Sequence, residues 1–183
     1  GTLAYLASGQ GDAVGLYSAG KTFQKEIRPK RSGAHLKFVL DELGSMTAEG
    51  ETGLPEALHQ AAERIAQRAL VVVISDLFMD PEVLKGAFQH LRFRKHDVAV
   101  FHLVEQNEID FQFDRPVRFV DLEGAGPLLV DPTTIAKQYR QAVQIWLEQL
   151  RIVFRDSAVD YHRVNIDENY SDVLARFLLA RKK

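Results

Sequence analysis

The sequence predicts an α/β fold, a mostly parallel sheet with helices on its faces, and three observations predict it. Two continuous apolar runs of strand length, LVVVISD at Leu70 to Asp76 and DVAVFHLV at Asp97 to Val104, read as strands buried on both faces, the habit of parallel sheets. Between them lies an amphipathic helix that opens on Asp80-Pro81, an N-cap followed by proline at the first helical position, and runs to about Arg94. Strands and amphipathic helices go on alternating along the chain, which is the order that builds a doubly wound sheet.

The elements follow in order. Thr2 to Ser8 reads as two turns of apolar helix ended by Gly9 and Gly11. DAVGLYSA and KTFQKEIRP read as an antiparallel hairpin turning at Ala19-Gly20, because apolar residues alternate at Val14 and Leu16 and again at Phe23 and Ile27. Ser32 caps a helix carrying Leu36, Val39, Leu40 and Leu43 on one face, which Gly44 should stop. A second helix is expected over roughly Gly53 to Ala69, with Leu54, Leu58, Ala61, Ala62 and Ile65 at helical spacing and Pro55 tolerated in its first turn. Glu105 to Asp131 is less regular, with strands expected at Val117 to Asp121 and Pro127 to Val130. Asp131-Pro132 opens the longest helix, whose face of Ile135, Tyr139, Val143, Trp146, Leu147, Leu150 and Phe154 is core. DYHRVNI is then a strand, and SDVLARFLLARKK a closing helix.

Composition limits the function classes. A chain of 183 residues with 46% hydrophobic content fits a single domain over residues 1–183, on a prior of roughly 100 to 200 residues per domain. A formal net charge of -2 and a pI near 6.3 offer no field for gripping a phosphate backbone, so no nucleic-acid partner is expected. The clusters Arg28 to Arg31 and Arg181 to Lys183 are short and read as solvated. Without cysteine there is neither a disulfide nor a thiolate metal site, which fits a cytoplasmic location. No apolar run reaches the roughly 18 residues of a membrane span. The opening on part of a helix reads as a fragment of a longer chain.

One stretch suggests a nucleotide. GLYSAGKT, Gly15 to Thr22, matches the G-x-x-x-x-G-K-[ST] pattern of a P-loop, and Asp76 after an apolar strand matches the carboxylate that P-loop enzymes place near magnesium. A P-loop needs a buried strand delivering its first glycine and a helix directly after its last residues. Here Gly15 lies inside the expected strand, and the stretch from Thr22 to Pro29 is too short for that helix. An NTPase using Gly20, Lys21, Thr22 and Asp76 is therefore a rival reading, with Lys21 otherwise a turn residue. Another rival is a receiver-like phosphoacceptor with Asp76 as the phosphorylated residue, although the acidic pair expected near its first strand is not seen.

Other chemistry finds no apparatus. Gly9, Gly11 and Gly15 precede a strand at the wrong spacing for a dinucleotide fingerprint. Histidines 35, 59, 90, 96, 102 and 162 show no paired-ligand spacing, and there is no G-x-S-x-G elbow. Glu105, Glu108 and Asp110 read as a solvated acidic loop. What survives is Asp76, since ligands of open α/β sheets bind at the carboxyl ends of the strands. Either it helps hold a cation or phosphate, or the Ser75/Asp76 pair satisfies the backbone of the turn. Thr52 is the natural second member of such a site, and its other reading is an N-cap.

GDAVGLYSAGK, GETGLPEALHQAAERI, ALVVVISDLFMDPEVLKGAFQHLRFRKHDVAVFHLVEQNEIDF and FVDLEGAGPLLVDPTTIAKQYR together resemble the bacterial domain of unknown function 58 family, which carries a von Willebrand factor A-like domain. The order SDL, then HDV, then an acidic stretch and VDP before a long helix carries the resemblance, which runs over essentially the entire chain. It implies a three-layer, Rossmann-like, mostly parallel sheet flanked by helices, with GLYSAGKT in an antiparallel edge hairpin. It also implies a metal-ion-dependent adhesion site made of a D-x-S-x-S motif on the first strand, a Thr and an Asp. By position Thr52 matches that Thr and Asp76 that Asp, but the motif has no counterpart here, and its strand would precede Thr2.

One hydroxyl and one carboxylate leave most of the near-octahedral positions of Mg²⁺ to solvent, so no cofactor is expected in this chain and Mg²⁺ only in an intact domain. The absent strand would free ladder groups on two neighbours, to be met by rearranged pairing or by another chain as a homo-oligomer. The resulting expectation is a non-enzymatic protein–protein interaction domain, and the resemblance suggests a MoxR-type AAA ATPase as partner in assembling or maturing other proteins.

Overall fold

The computed structural model describes residues 1–20, 23–47, 53–113, 117–120 and 127–181. Contacts divide the chain into two units, Gly1–Gln67 and Arg68–Lys183.

The first unit holds α1 (Thr2–Gly9), β1 (Val14–Ala19), β2 (Phe23–Lys30), α2 (Gly33–Ser45) and α3 (Leu54–Arg64). The two strands pair antiparallel as a sheet of their own, with Leu16 opposite Ile27 and Ala19 opposite Phe23. GLYSAGKT therefore lies in a hairpin as expected, with Lys21 and Thr22 outside the described residues. Where a P-loop requires a helix, β2 begins. The Ser32 hydroxyl accepts from the His35 backbone N–H at 3.1 Å and caps α2, as expected. Gly44 does not stop that helix, which continues to Ser45. A single glycine costs a helix only about 1 kcal/mol against alanine, too little to end it alone.

α3 is shorter than expected. Ile65 takes an extended conformation (φ −78°, ψ 99°), so the helix ends at Arg64 and not at Ala69. Ile65 stays in phase with Leu54, Leu58 and Ala61, and the apolar pattern alone carries no stop signal there. Those three side chains are buried with Val39 and Ala62. An ion pair from Arg64 to Glu26 at 2.6 Å joins α3 to β2 and holds the Glu26 carboxyl below the usual range.

The second unit holds β3 (Leu70–Ser75), α4 (Pro81–Phe93), β4 (Asp97–Val104), α5 (Gln106–Asp110), β5 (Val117–Val120), β6 (Pro127–Val130), α6 (Pro132–Asp156), β7 (Asp160–Asn165) and α7 (Tyr170–Ala180). Its main sheet is parallel in the order β3-β4-β7, while β5 and β6 pair antiparallel with each other. Successive β4 side chains point to opposite faces. Phe101 meets Phe177 of α7 and His162, while His102 meets Trp146 of α6 and Tyr161. Helices thus cover both faces, and the α/β class read from the sequence is the class observed.

Two expectations are corrected here. β4 is buried along nearly all its length, but β3 buries only Val73 and leaves Ile74 63% exposed. The reason is position: among the described residues β3 pairs with β4 alone, and a strand with one neighbour lacks cover that the central strand has. Glu105 to Asp110 is not a plain acidic loop either. The Glu105 backbone N–H donates to the Glu108 carboxylate at 2.9 Å, and Gln106 donates to Asp110 at 2.6 Å, so these acids start and brace α5.

Candidate interaction face at Asp76

Asp76 stands one residue past the carboxyl end of β3, where the register of Ser75 against His102 fixes the height of the strand ends. Its side chain is exposed. Its Oδ1 accepts from the Phe78 backbone N–H at 3.3 Å and from the Ser75 hydroxyl at 3.4 Å, and the Ser75 Oγ accepts from Leu77 N–H at 3.1 Å. Both polar residues therefore serve the turn backbone, one of the two roles read from sequence. Among the described residues only Oδ1 is engaged in this way.

The turn is tight and strained. Leu77 is fully buried yet has φ 55°, in the left-handed region that a bulky side chain rarely occupies, and its carbonyl accepts from Met79 N–H at 2.7 Å. Burial of the Leu77 side chain anchors the turn from below. From the side, the Trp146 indole donates to the Met79 carbonyl at 3.1 Å. Asp80 then caps α4 by accepting from Glu82 N–H at 2.9 Å. The outcome is a fixed loop that displays Phe78, 81% exposed, edge-on to Trp146 at 5.9 Å between ring centres.

Behind this loop lies a polar pair, His102 buried and Tyr161 half-buried. His102 has no exposed surface, and its Nδ1 lies 2.7 Å from the Tyr161 hydroxyl. Burial drives the imidazole down to about 4 against an opposing pull from the Asp76 backbone and carboxylate, and the Arg163 charge adds a smaller push downward. No acceptor meets its Nε2 within hydrogen-bond geometry among the described residues. Burial likewise raises the Tyr161 phenol to about 12. At neutral pH both groups are uncharged.

Thr52, the other residue matched to an adhesion site, lies outside the described residues. Among the described residues no group of three or more histidines and acids is placed to hold a metal ion. Asp76 alone offers one carboxylate, and that does not fit a hard cation that seeks near-octahedral oxygen ligation. Phe78 and Trp146 were not legible as members of this face. Trp146 is the one tryptophan of the chain, and its need for an N–H partner is the signal that points to a loop carbonyl.

A family model described as "Protein of unknown function DUF58" matches residues 1–147, and the chain belongs to that family. The matched span includes Asp76, Phe78 and Trp146. No curated protein matches the chain. Among the described residues no helix is long and apolar enough to cross a membrane.

Proposed function

We propose that this chain is a non-enzymatic protein–protein interaction domain of the von Willebrand A type, with an incomplete metal-ion-dependent adhesion site at Asp76. The observation that carries the reading is the pairing of an exposed carboxylate with an exposed aromatic ring on one fixed loop at the carboxyl end of β3. Aromatic side chains held in place beside a polar group are favoured anchors of protein interfaces. Mg²⁺, if an intact domain completes the site, would add a bridge to an acidic group on the partner. The partner in this reading is a MoxR-type AAA ATPase, and the work is the assembly or maturation of other proteins.

The test is binding of this chain to a MoxR-type ATPase from the same organism, measured by calorimetry for the wild type, Asp76→Ala and Phe78→Ala. Phe78→Ala should weaken binding about tenfold or more, as loss of an interface anchor does. Wild-type affinity in both variants, or no binding by the wild type, overturns the proposal.

A further inference from the structure

Away from Asp76, a groove runs between α6 and β7. Its floor and walls are Leu147, Glu148 and Arg151 from the helix and Tyr161 and Arg163 from the strand, around a cavity of about 320 Å³. Gln144 links it to an open stretch of the α6 surface that carries Lys137, Arg140 and the exposed Ile145 on the same side of the helix. These α6 positions recur at three- and four-residue steps, so they form one stripe along the helix.

Charge along the stripe is one-sided. Lys137, Arg140, Arg151 and Arg163 face one carboxylate, Glu148, and that acid is already held by Arg151 through two hydrogen bonds of 2.9 and 3.0 Å. Lys137, Arg140 and Arg163 make no ion pair among the described residues, although Arg140 donates to the Asp110 carbonyl at 3.2 Å. Beside them β7 pairs with β4 alone among the described residues, so its outer edge carries ladder groups without a strand partner.

A helix stripe beside a strand edge is the geometry in which an extended peptide adds to a sheet, its main chain on the edge and alternate side chains in the groove. We propose that this groove binds an extended acidic segment of a partner protein, aligned along β7 with a carboxylate on Arg163 and an apolar side chain against Ile145 and Leu147. The edge strand favours a peptide over a nucleic acid or a lipid surface, since neither of those uses main-chain ladder groups. Asp76 does not line the groove, so this proposal stands or falls separately from the function proposed above.

The experiment is fluorescence anisotropy of the full chain with a labelled peptide of alternating glutamate and valine. Saturable binding is expected, weakened about tenfold or more by Arg163→Glu and less by Arg163→Gln, and reduced by added salt. Circular dichroism of both variants checks the fold, which an exposed edge residue should leave intact. Hydrogen exchange of the amides from Asp160 to Asn165 should slow in the complex. The proposal is overturned by absence of binding, or by equal binding of a lysine–valine peptide. It is also overturned by indifference to Arg163→Glu, by unchanged exchange along β7, or by single-stranded oligonucleotide or phosphatidylserine vesicles binding through Arg163 in place of the peptide.

Discussion

His102 Nδ1 lies 2.7 Å from the Tyr161 hydroxyl, and this bond joins the central strand to its neighbour inside an aromatic layer. Trp146 stands edge-on to the imidazole, and Phe154 stacks on Tyr161 at 4.8 Å, with Phe88 edge-on behind Phe154. A neutral ring fits this setting, while a charged one has no carboxylate within bonding distance among the described residues.

That relationship sets a pH dependence. The folded imidazole titrates near 4 against 6.5 for an unperturbed ring, so on acidification the unfolded chain takes up the proton first. Stability contributed above pH 6.5 is therefore lost as pH falls toward about 4, by on the order of 3 kcal/mol at most. Urea midpoints followed by Trp146 fluorescence should decline across this window, and His102→Leu should flatten the decline. Equal slopes for both proteins would show that His102 does not carry the effect. His96 and His162, both pushed down mainly by burial, contribute in the same direction and remain in the variant.

Gly15 is fixed by close approach inside the hairpin. A Cβ there would lie 2.7 Å from the Ile27 carbonyl oxygen and 3.0 Å from the Pro29 ring, and neither a backbone oxygen nor a proline ring yields easily. Gly15→Ala should destabilise the hairpin by about 1–3 kcal/mol, read as faster hydrogen exchange in β1 and β2. Unchanged protection would mean that the strands separate there at little cost. Thus a glycine that first suggests a phosphate loop is required by strand pairing.

The Trp146 indole is the lateral support of the Asp76 loop. Trp146→Phe keeps a ring beside Phe78 and His102 but removes the donor to the Met79 carbonyl. A loss of about 1 kcal/mol is expected, with faster amide exchange confined to the loop from Leu77 to Met79. Should the interaction proposed for this face hold, the same variant weakens partner binding while leaving the sheet amides protected. Uniform loss of protection across β3 and β4 would instead assign Trp146 to the core alone.

These residues also show what the sequence made legible. Period and capping placed β4, α4 and the start of α6 correctly, because burial and N-cap chemistry act through neighbours a few positions away. The exposure of Ile74 was not legible, since an apolar run does not say how many strands will flank it. Asp76 was found from its place after a strand, whereas Phe78 becomes part of the face only through Leu77's left-handed backbone and a bond to the Met79 carbonyl from Trp146, 67 residues from Met79 in sequence. The charged stripe on α6 drew no reading from the sequence, because its meaning depends on the open edge of β7 beside it.

Ser157 offers the opposite sign of effect. Its side chain is buried at 4% exposure, and its Oγ has no hydrogen-bond partner among the described residues. A buried hydroxyl without a partner has given up water and received nothing for it, a cost of roughly 1–3 kcal/mol in mutational data. The backbone N–H there is already satisfied, since it donates to the Val153 carbonyl at 3.0 Å and does not depend on the side chain. Alanine keeps the Cβ and removes only the stranded oxygen, leaving a void too small to matter much. Ser157→Ala should therefore stabilise the second unit by about 1 kcal/mol, raising the urea midpoint read by Trp146 fluorescence. A lower midpoint would mean that the hydroxyl meets a buried water or an unrecognised acceptor at the end of α6.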